Sequence, residues 1–546
     1  MTTGGELLVQ CLEAQGVDRI FCVPGESYLA VLDALHDASI DVINARQESG
    51  AAIMAEGDGK MTGRPGIAFV TRGPGATNAA AGVHIAKQDS TPMILFVGQI
   101  GLDMRGREAF QEVDYRQTFR DLAKWVEEID RVDRIPEIIN HAWHVAMSGR
   151  PGPVVIALPE DMLREVATAQ PGPRVEVAAP APTPTAITDL SEKLHRAERP
   201  VMVLGGSRWD EASVEAAQDF AARHDLPVTV TFRRQNLFNH EHPNYAGDLG
   251  IGPNPALKAL VENSDLLLVI GARLSEMPSQ GYELLEFPKS QIEMVHVHSG
   301  PEELGRIYTP DLAINATPGA FFEAANSISS RKDAGAAKAA NNAFAEWNGT
   351  PPSTPGAAEM GPIIAHIRET SPDAVITNGA GNYAGWIHRF WRFRWFGQQI
   401  APTSGSMGAG LPYAVAAKRR WPDKEVICFA GDGCFQMTSQ EFGALAQYDL
   451  PVIVLIVDNA AYGTIRMHQE RDYPTRVSAT KLVNPDFAAL ARAYDGHGET
   501  VEETAQFPAA YERARDSGKP AIIHIKTDVE AISPTLTVTG LRNRPK

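Results

Sequence analysis

Short, unbroken apolar runs recur along the chain, separated by stretches with helical spacing. IAFVT (67–71), MILFVG (93–98) and PVVIALP (153–159) stand in the first third. PVMVLGG (200–206), LPVTVTF (226–232), DLLLVIGAR (265–273) and MVHVH (294–298) follow in the middle. AVITNGAG (374–381), EVICFAGDG (425–433), LPVIVLIVDN (450–459) and PAIIHIKTD (520–528) close the series. Runs without polar alternation predict strands covered on both faces, and strands alternating with helices predict βαβ units. The fold class predicted is therefore α/β, built from three doubly wound parallel-sheet domains. In such sheets ligands bind beyond the carboxyl ends of the strands, so the residues that follow each run are the ones to inspect.

Two proline-rich stretches divide the pattern. Residues 166–186 (VATAQPGPRVEVAAPAPTPTA) and 350–357 (TPPSTPGA) have no amphipathic period, and the second follows an Ala/Asn-rich helical stretch that begins near Lys332. Proline at this density favours extended, semi-rigid connections. The predicted domains are 1–165, 187–330 and 358–546, in line with a prior of roughly 150 residues per domain.

Composition changes this picture little. An apolar fraction of 44% and a charged fraction of 21% exclude a largely disordered chain. With 50 Lys and Arg against 67 Asp and Glu the formal charge is −17, a poor match for nucleic acid or an anionic membrane. Cys11, Cys22, Cys428 and Cys434 form no CxxC pair and read as buried free thiols in a reducing compartment. No signal peptide and no apolar run of membrane-spanning length is visible, so the expectation is a soluble cytoplasmic protein.

The chemistry concentrates at two strand ends. EVICFA runs into Gly431-Asp432-Gly433, and the helical stretch TSQEFGALAQY leads to a second strand that ends in Asp458-Asn459. Asp432 and Asn459 are 27 positions apart, about one βαβ unit, which sets them side by side. Each half alone is a common turn sequence. Paired at this spacing, two hard oxygen ligands and close-approach glycines suit Mg²⁺ with a diphosphate. A helix N-terminus after Gly433 would add oriented N–H groups for the anion.

This stretch resembles the diphosphate-binding motif of thiamine diphosphate enzymes, and the likeness covers essentially the whole chain, on the acetolactate synthase-like branch. Its marks are RQESGAAIMAEGDGKMTGRPG (46–66), TRGPGATNAAAG (71–82), AFQEVD (109–114), GSMGAGLPYAVAAK (405–418) and DNAAYG (458–463). The resemblance implies a pyrimidine-binding, a middle and a diphosphate-binding domain, in that order. It implies Mg²⁺ ligation by Asp432, Asn459 and the carbonyl of Ala461, with Gly431, Gly433, Cys434, Tyr462 and Gly463 lining the diphosphate. Met407 matches the apolar residue over which the cofactor folds into a V. Gly379, Ala380, Asn382, Tyr383, Gly405 and Met437 match positions around the diphosphate and pyrimidine. Glu48 matches the acid that exchanges a proton with the pyrimidine ring, a role that needs a carboxyl group in an apolar pocket. Thr71, Gly73 and Asn78 match the loop beside that ring, and Gly25, Phe110 and Gln111 match positions bordering cofactor and substrate, with Gln111 able to hydrogen-bond a reacting hydroxyl. In the family the two ends of the cofactor belong to different subunits, which implies a homodimer or homotetramer.

The implied activity is decarboxylation of a 2-keto acid such as pyruvate and transfer of the acyl carbanion equivalent to a carbonyl acceptor. No adjacent His-His pair occurs, unlike the pyruvate decarboxylase branch. Two positions depart from acetolactate synthase: Met277 stands where that branch has a carboxylate-binding arginine, and His468 where it has a tryptophan, beside Met467. Arg107, Arg233 and Arg466 are the alternative cations. The altered stretch Gly271-Ala272-Arg273-Leu274-Ser275-Glu276-Met277 also weakens the case for the structural FAD of that branch, for which Gly205-Gly206 offers a little support. Two other readings stay open: a lyase acting on 2-hydroxy ketones or 2-hydroxyacyl-CoA, and a non-catalytic cofactor-binding subunit.

Overall fold

Interior strands of a parallel sheet are covered by helices on both faces, and the unbroken apolar runs fold accordingly. The computed structural model describes residues 2–330 and 335–543. It contains three six-stranded sheets. In the first, β1 (Arg19–Cys22), β2 (Asp41–Asn44), β3 (Gly66–Val70), β4 (Met93–Gln99), β5 (Trp125–Glu128) and β6 (Pro153–Pro159) lie in the order β2-β1-β3-β4-β6-β5. The second is built from β7 (Pro200–Leu204), β8 (Val228–Thr231), β9 (Tyr245–Leu249), β10 (Leu266–Ile270), β11 (Glu293–His298) and β12 (Leu312–Asn315), ordered β9-β8-β7-β10-β11-β12. The third holds β13 (Val375–Asn378), β14 (Gln399–Ile400), β15 (Val426–Gly431), β16 (Val452–Asp458), β17 (His497–Val501) and β18 (Ala521–Lys526), ordered β14-β13-β15-β16-β18-β17. Every pairing in these sheets is parallel. The fold is thus the α/β, three-sheet arrangement the sequence predicts, and the first and third sheets share one strand order.

The runs read as strands from the sequence are interior strands, apart from the strand-like IDVINA (40–45) before Glu48, which forms the edge strand β2. The edge strands β5, β9, β12, β14 and β17 escaped that reading, as did the interior β1. Of the edges, β2, β5, β12 and β17 are only partly buried, so their sequences carry polar residues that break the apolar signal.

The chain groups into two compact units. One comprises Met1–Ala178, Leu411–Pro422 and Thr438–Leu450, and the other Ala179–Gly410, Asp423–Met437 and Pro451–Lys546. The first proline-rich stretch carries no helix until Thr183 caps the helix Pro184–Arg196, and at its start Val166–Ala167 pair with Thr2–Thr3. The Ala/Asn-rich helix spans Ala336–Trp347; Lys332 lies outside the described residues. The helix expected after Gly433 is two short pieces, Asp432–Gln436 and Phe442–Gln447, with Gly431 capping the first. Asp432 is therefore a first-turn residue and does not precede a long helix.

Candidate functional site

In the first unit, the carboxyl ends of β1, β2 and β3 bring together most residues predicted for the pyrimidine end. Glu48 opens the helix Glu48–Thr62, whose N-cap is Gln47. Its Oε2 accepts a hydrogen bond from Asn78 Nδ2 at 3.0 Å. Gly75 lies against it, since a Cβ there would stand 3.4 Å from Glu48 Oε1 and 2.8 Å from Thr71 Cγ2. Thr71 shares a 2.9 Å hydrogen bond with Ser27, and a Cβ on Gly25 would fall 2.5 Å from Thr71 Cβ. Gly73 has φ +55° and faces Gln111, whose Cβ would be 2.8 Å from a Cβ added to the glycine. Gln111 itself has φ +65°, a left-handed conformation that a non-glycine residue adopts at a cost and that clusters at functional loops. Phe110 beside it is 72% exposed. The expected apolar pocket for Glu48 is incomplete within this chain: Glu48 is half-buried, and the Asn78 amide is a donor able to orient its carboxylate.

One supporting residue was missed. Glu441 is fully buried, and its carboxylate accepts the backbone N–H groups of Arg46 (3.1 Å) and Gln47 (3.0 Å), immediately before Glu48. Burial pushes its pKa up to about 7. Gly50 is required beneath it, because a Cβ there would fall on the carboxylate. In the sequence Glu441 reads only as one polar position of a helical stretch.

In the second unit, residues following β13, β15 and β16 converge. Asp432 is buried, and its Oδ2 accepts Ala461 N–H at 3.2 Å and Asn484 Nδ2 at 2.7 Å. The same Asn484 amide donates to Asp458 Oδ1 at 2.7 Å. Burial pushes the Asp432 carboxyl upward, and the neighbouring Asp458 adds to this. Burial would raise Asp458 as well, yet hydrogen bonds from His524 and Lys526 (2.7 and 2.9 Å) hold it below the usual carboxylate range. Asn459 is half-buried with its amide against Gly463, and Ala460 between Asn459 and Ala461 has φ +53°. Gly433 lies under the Tyr462 ring, where a Cβ would stand 2.6 Å from the ring. Cys434 is buried; its sulfur accepts Gly408 N–H at 3.2 Å, meets Tyr383 Oη at 3.4 Å, and leaves no room for a Cβ on Gly379 (2.6 Å). The Tyr383 ring also lies against Gly431. Gly405 has φ +69° and open space around it, and Met407 and Met437 are 37% and 47% exposed.

Three family descriptions match this chain: the thiamine pyrophosphate enzyme N-terminal TPP binding domain over residues 2–118, the central domain over 187–325 and the C-terminal TPP binding domain over 379–525. The acetolactate synthase isozyme 2 large subunit of Escherichia coli (strain K12) is 30% identical over 539 residues, covering 96% of this chain and 95% of that protein. The acetolactate synthase large subunit of Lactococcus lactis is 32% identical over 514 residues, covering 90% and 87%. The mitochondrial acetolactate synthase catalytic subunit of Saccharomyces cerevisiae is 28% identical over 573 residues, covering 96% and 81%. The chain belongs to the thiamine pyrophosphate enzyme family. It lies on the acetolactate synthase-like branch and is a thiamine diphosphate-dependent enzyme of the carboligase or transferase kind.

The residues expected to border the substrate, and the candidate cations, are placed as follows. Asn382 accepts a hydrogen bond from Thr464 at 3.0 Å and places its amide 3.6 Å from Met467 Sδ, tying the turn after β13 to the helix Gly463–Asp472 that carries His468. Ala380 is half-buried in that same turn. Arg466 is committed to the buried Glu470 (2.8 Å), which Arg542 also grips (2.7 Å). Arg233 is buried and donates to Pro402 O at 2.7 Å, and Arg107 is exposed. Met277 is half-buried in the turn after β10, where its carbonyl accepts from Gln280.

The glycines weighed as support for FAD are occupied by packing. A Cβ on Gly206 would fall on the Gly271 carbonyl, and Trp209 Nε1–H donates to Gly205 O at 2.8 Å. This crossing of the β7 and β10 loops lends FAD no support. A cavity of about 670 Å³ lined by Asn254, Trp347, Arg389 and Thr537 contains none of the residues assigned to the cofactor or substrate. Among the described residues, no helix is long and apolar enough to cross a membrane.

Proposed function

We propose that this enzyme uses Mg²⁺ with thiamine diphosphate to decarboxylate a 2-keto acid such as pyruvate and pass the acyl unit to a carbonyl acceptor, as a homodimer or homotetramer with domains 1–165, 187–330 and 358–546. The observation that carries the reading is the convergence, in separate segments, of Glu48 with Asn78, Thr71 and Gln111, and of Asp432 with Ala461 and the Cys434–Gly408–Gly379 cradle. The donor set fits the proposed cation. Asp432 and Asn459 side chains and the Ala461 carbonyl are hard oxygen ligands, and Asp432 is a buried carboxylate whose charge a divalent ion would neutralise. Gly405 has open space beside it, where a diphosphate could approach, while Gly379 and Gly433 let Cys434 and Tyr462 pack against the loop backbone.

Bound thiamine diphosphate supplies a nucleophilic carbon and an electron sink. The chain supplies the proton traffic and the positioning. Glu48 would exchange a proton with the pyrimidine ring through its carboxyl group, and Asn78 fixes the direction of that group. Gln111, locked in its left-handed conformation against Gly73, presents an amide to the reacting hydroxyl. Each copy would lend Glu48 to one cofactor and its diphosphate residues to another.

Purified protein supplied with thiamine diphosphate, Mg²⁺ and pyruvate is expected to release CO₂ and form acetolactate; acetaldehyde or untouched pyruvate would overturn the proposed transfer. Glu48→Gln is expected to keep cofactor binding and slow exchange of the cofactor's C2 proton, followed by NMR, by about 10²–10⁴-fold. Unchanged exchange refutes that role. A second reading, cleavage of a 2-hydroxy ketone or 2-hydroxyacyl-CoA, is favoured by Met277 and by the engagement of Arg466 with Glu470 and of Arg233 with Pro402, which leaves the exposed Arg107 as the remaining candidate guanidinium for an acceptor carboxylate. Turnover of benzoin or a 2-hydroxyacyl-CoA without turnover of any keto acid selects it.

A further inference from the structure

Asn484 was assigned no role from the sequence. It stands in the loop before the helix Phe487–Ala493, 26 residues after Asp458 and 52 after Asp432. Its carboxamide is fully used. The NH₂ group donates to Asp432 Oδ2 and to Asp458 Oδ1, both at 2.7 Å, and its oxygen accepts Gln436 Nε2 at 3.0 Å. Gln436 sits one turn after Asp432 and donates to the Asp432 carbonyl as well, at 3.3 Å. The amide therefore has one orientation, with its oxygen pinned by Gln436 and its two protons pointed at two carboxylates. Asp458 in turn is anchored on its other oxygen by His524 and Lys526, and its Oδ1 accepts Ala460 N–H at 2.8 Å in the turn that carries Asn459 and Ala461. One small side chain thus connects the strand ends of β15 and β16.

Asp432 Oδ2 has one other donor in this network, the Ala461 N–H at 3.2 Å, so the Asn484 N–H at 2.7 Å is its closer anchor and ties it to Asp458. We propose that Asn484 is a positioning residue for the cation site, clamping Asp432 to Asp458 so that the metal-binding carboxylate is in place before metal and diphosphate arrive. The inference rests on the proposed Mg²⁺ site. Groups that hold a metal ligand in orientation typically contribute 10–100-fold in metal affinity.

The test uses the full-length protein with thiamine diphosphate and Mn²⁺ in place of Mg²⁺, counting free Mn²⁺ by electron paramagnetic resonance, alongside the thermal midpoint of each metal-free protein. Wild type is expected to bind Mn²⁺ only when thiamine diphosphate is present. Asn484→Ala is expected to weaken Mn²⁺ binding about 10–100-fold while the metal-free midpoint stays within a few degrees of wild type. Gln436→Ala is expected to weaken it less, and adding it to Asn484→Ala to cost nothing further, because Gln436 acts through the amide. Equal Mn²⁺ affinity in wild type and Asn484→Ala overturns the clamp. A lowered metal-free midpoint with additive losses in the double variant also overturns it, leaving a packing role. If wild type binds no Mn²⁺ under any condition, the metal site itself is wrong and the clamp falls with it.

Discussion

Replacing Glu441 by glutamine isolates one buried ionisation and its effect on the segment that carries Glu48. Burial moves this carboxyl from its ordinary value of 4.5 to about 7, and the N–H donors of Arg46 and Gln47 offset only part of the desolvation. A folded pKa above the unfolded one means the native state holds an extra proton between about pH 4.5 and 7. Stability from this group is complete below about 4.5 and is lost as pH rises through 7, by about 3 kcal/mol in all. Glutamine keeps a carbonyl oxygen for the two N–H groups and has no charge to desolvate. The expected result is a difference in unfolding free energy, wild type minus Glu441→Gln, that falls by about 2–3 kcal/mol between pH 5 and 8. Urea unfolding followed by fluorescence at several pH values measures it. The difference curve cancels the many other carboxyl groups that titrate in common. Parallel curves would show that the Glu441 carboxylate is not desolvated, and would refute the account of how the Glu48 helix is seated.

The other expectations are briefer. Asp432→Ala should abolish Mg²⁺-dependent thiamine diphosphate binding in calorimetric titration, and full affinity in the variant would remove the proposed metal site. Gly379→Ala should cost about 1–3 kcal/mol, because its Cβ would stand 2.6 Å from Cys434 Sγ, and a second change, Cys434→Ala, should recover much of it. Thermal denaturation of the three variants checks this, and an additive double variant would show that the two do not meet. Gly50→Ala should be destabilised by at least as much, since its Cβ would press on the buried Glu441 carboxylate, whereas a small surface-like effect would contradict the packing.

What the sequence reveals and what it hides have physical causes. Interior strands such as β4 and β16 are buried along their whole length, so every residue is apolar and the pattern is unmistakable. β17 reads HGETV because one side of it is open, and β14 is two residues long. Glu48, Asp432 and Asn459 could be proposed from the sequence because each directly follows a strand or opens a helix within a dense local motif. Glu441 and Asn484 could not, because their meaning lies in partners distant along the chain: Glu441 serves Arg46, 395 residues earlier, and Asn484 serves Asp432 across 52. The three sheets extend the same lesson. The first and third share the order in which the first and third strands lie side by side, and it is the carboxyl ends near that reversal that carry Gly25 and Thr71 in one and Gly379 and Asp432 in the other. The central sheet has its own reversal between β7 and β10, yet there Gly206 and Gly271 close on each other. Close approach occurs at all three reversal points, Gly25 against Thr71, Gly379 against Cys434 and Gly206 against Gly271, so a glycine after a strand marks tight loop packing there, and it is the neighbouring polar side chains, Glu48 in one sheet and Asp432 in another, that mark the candidate chemistry.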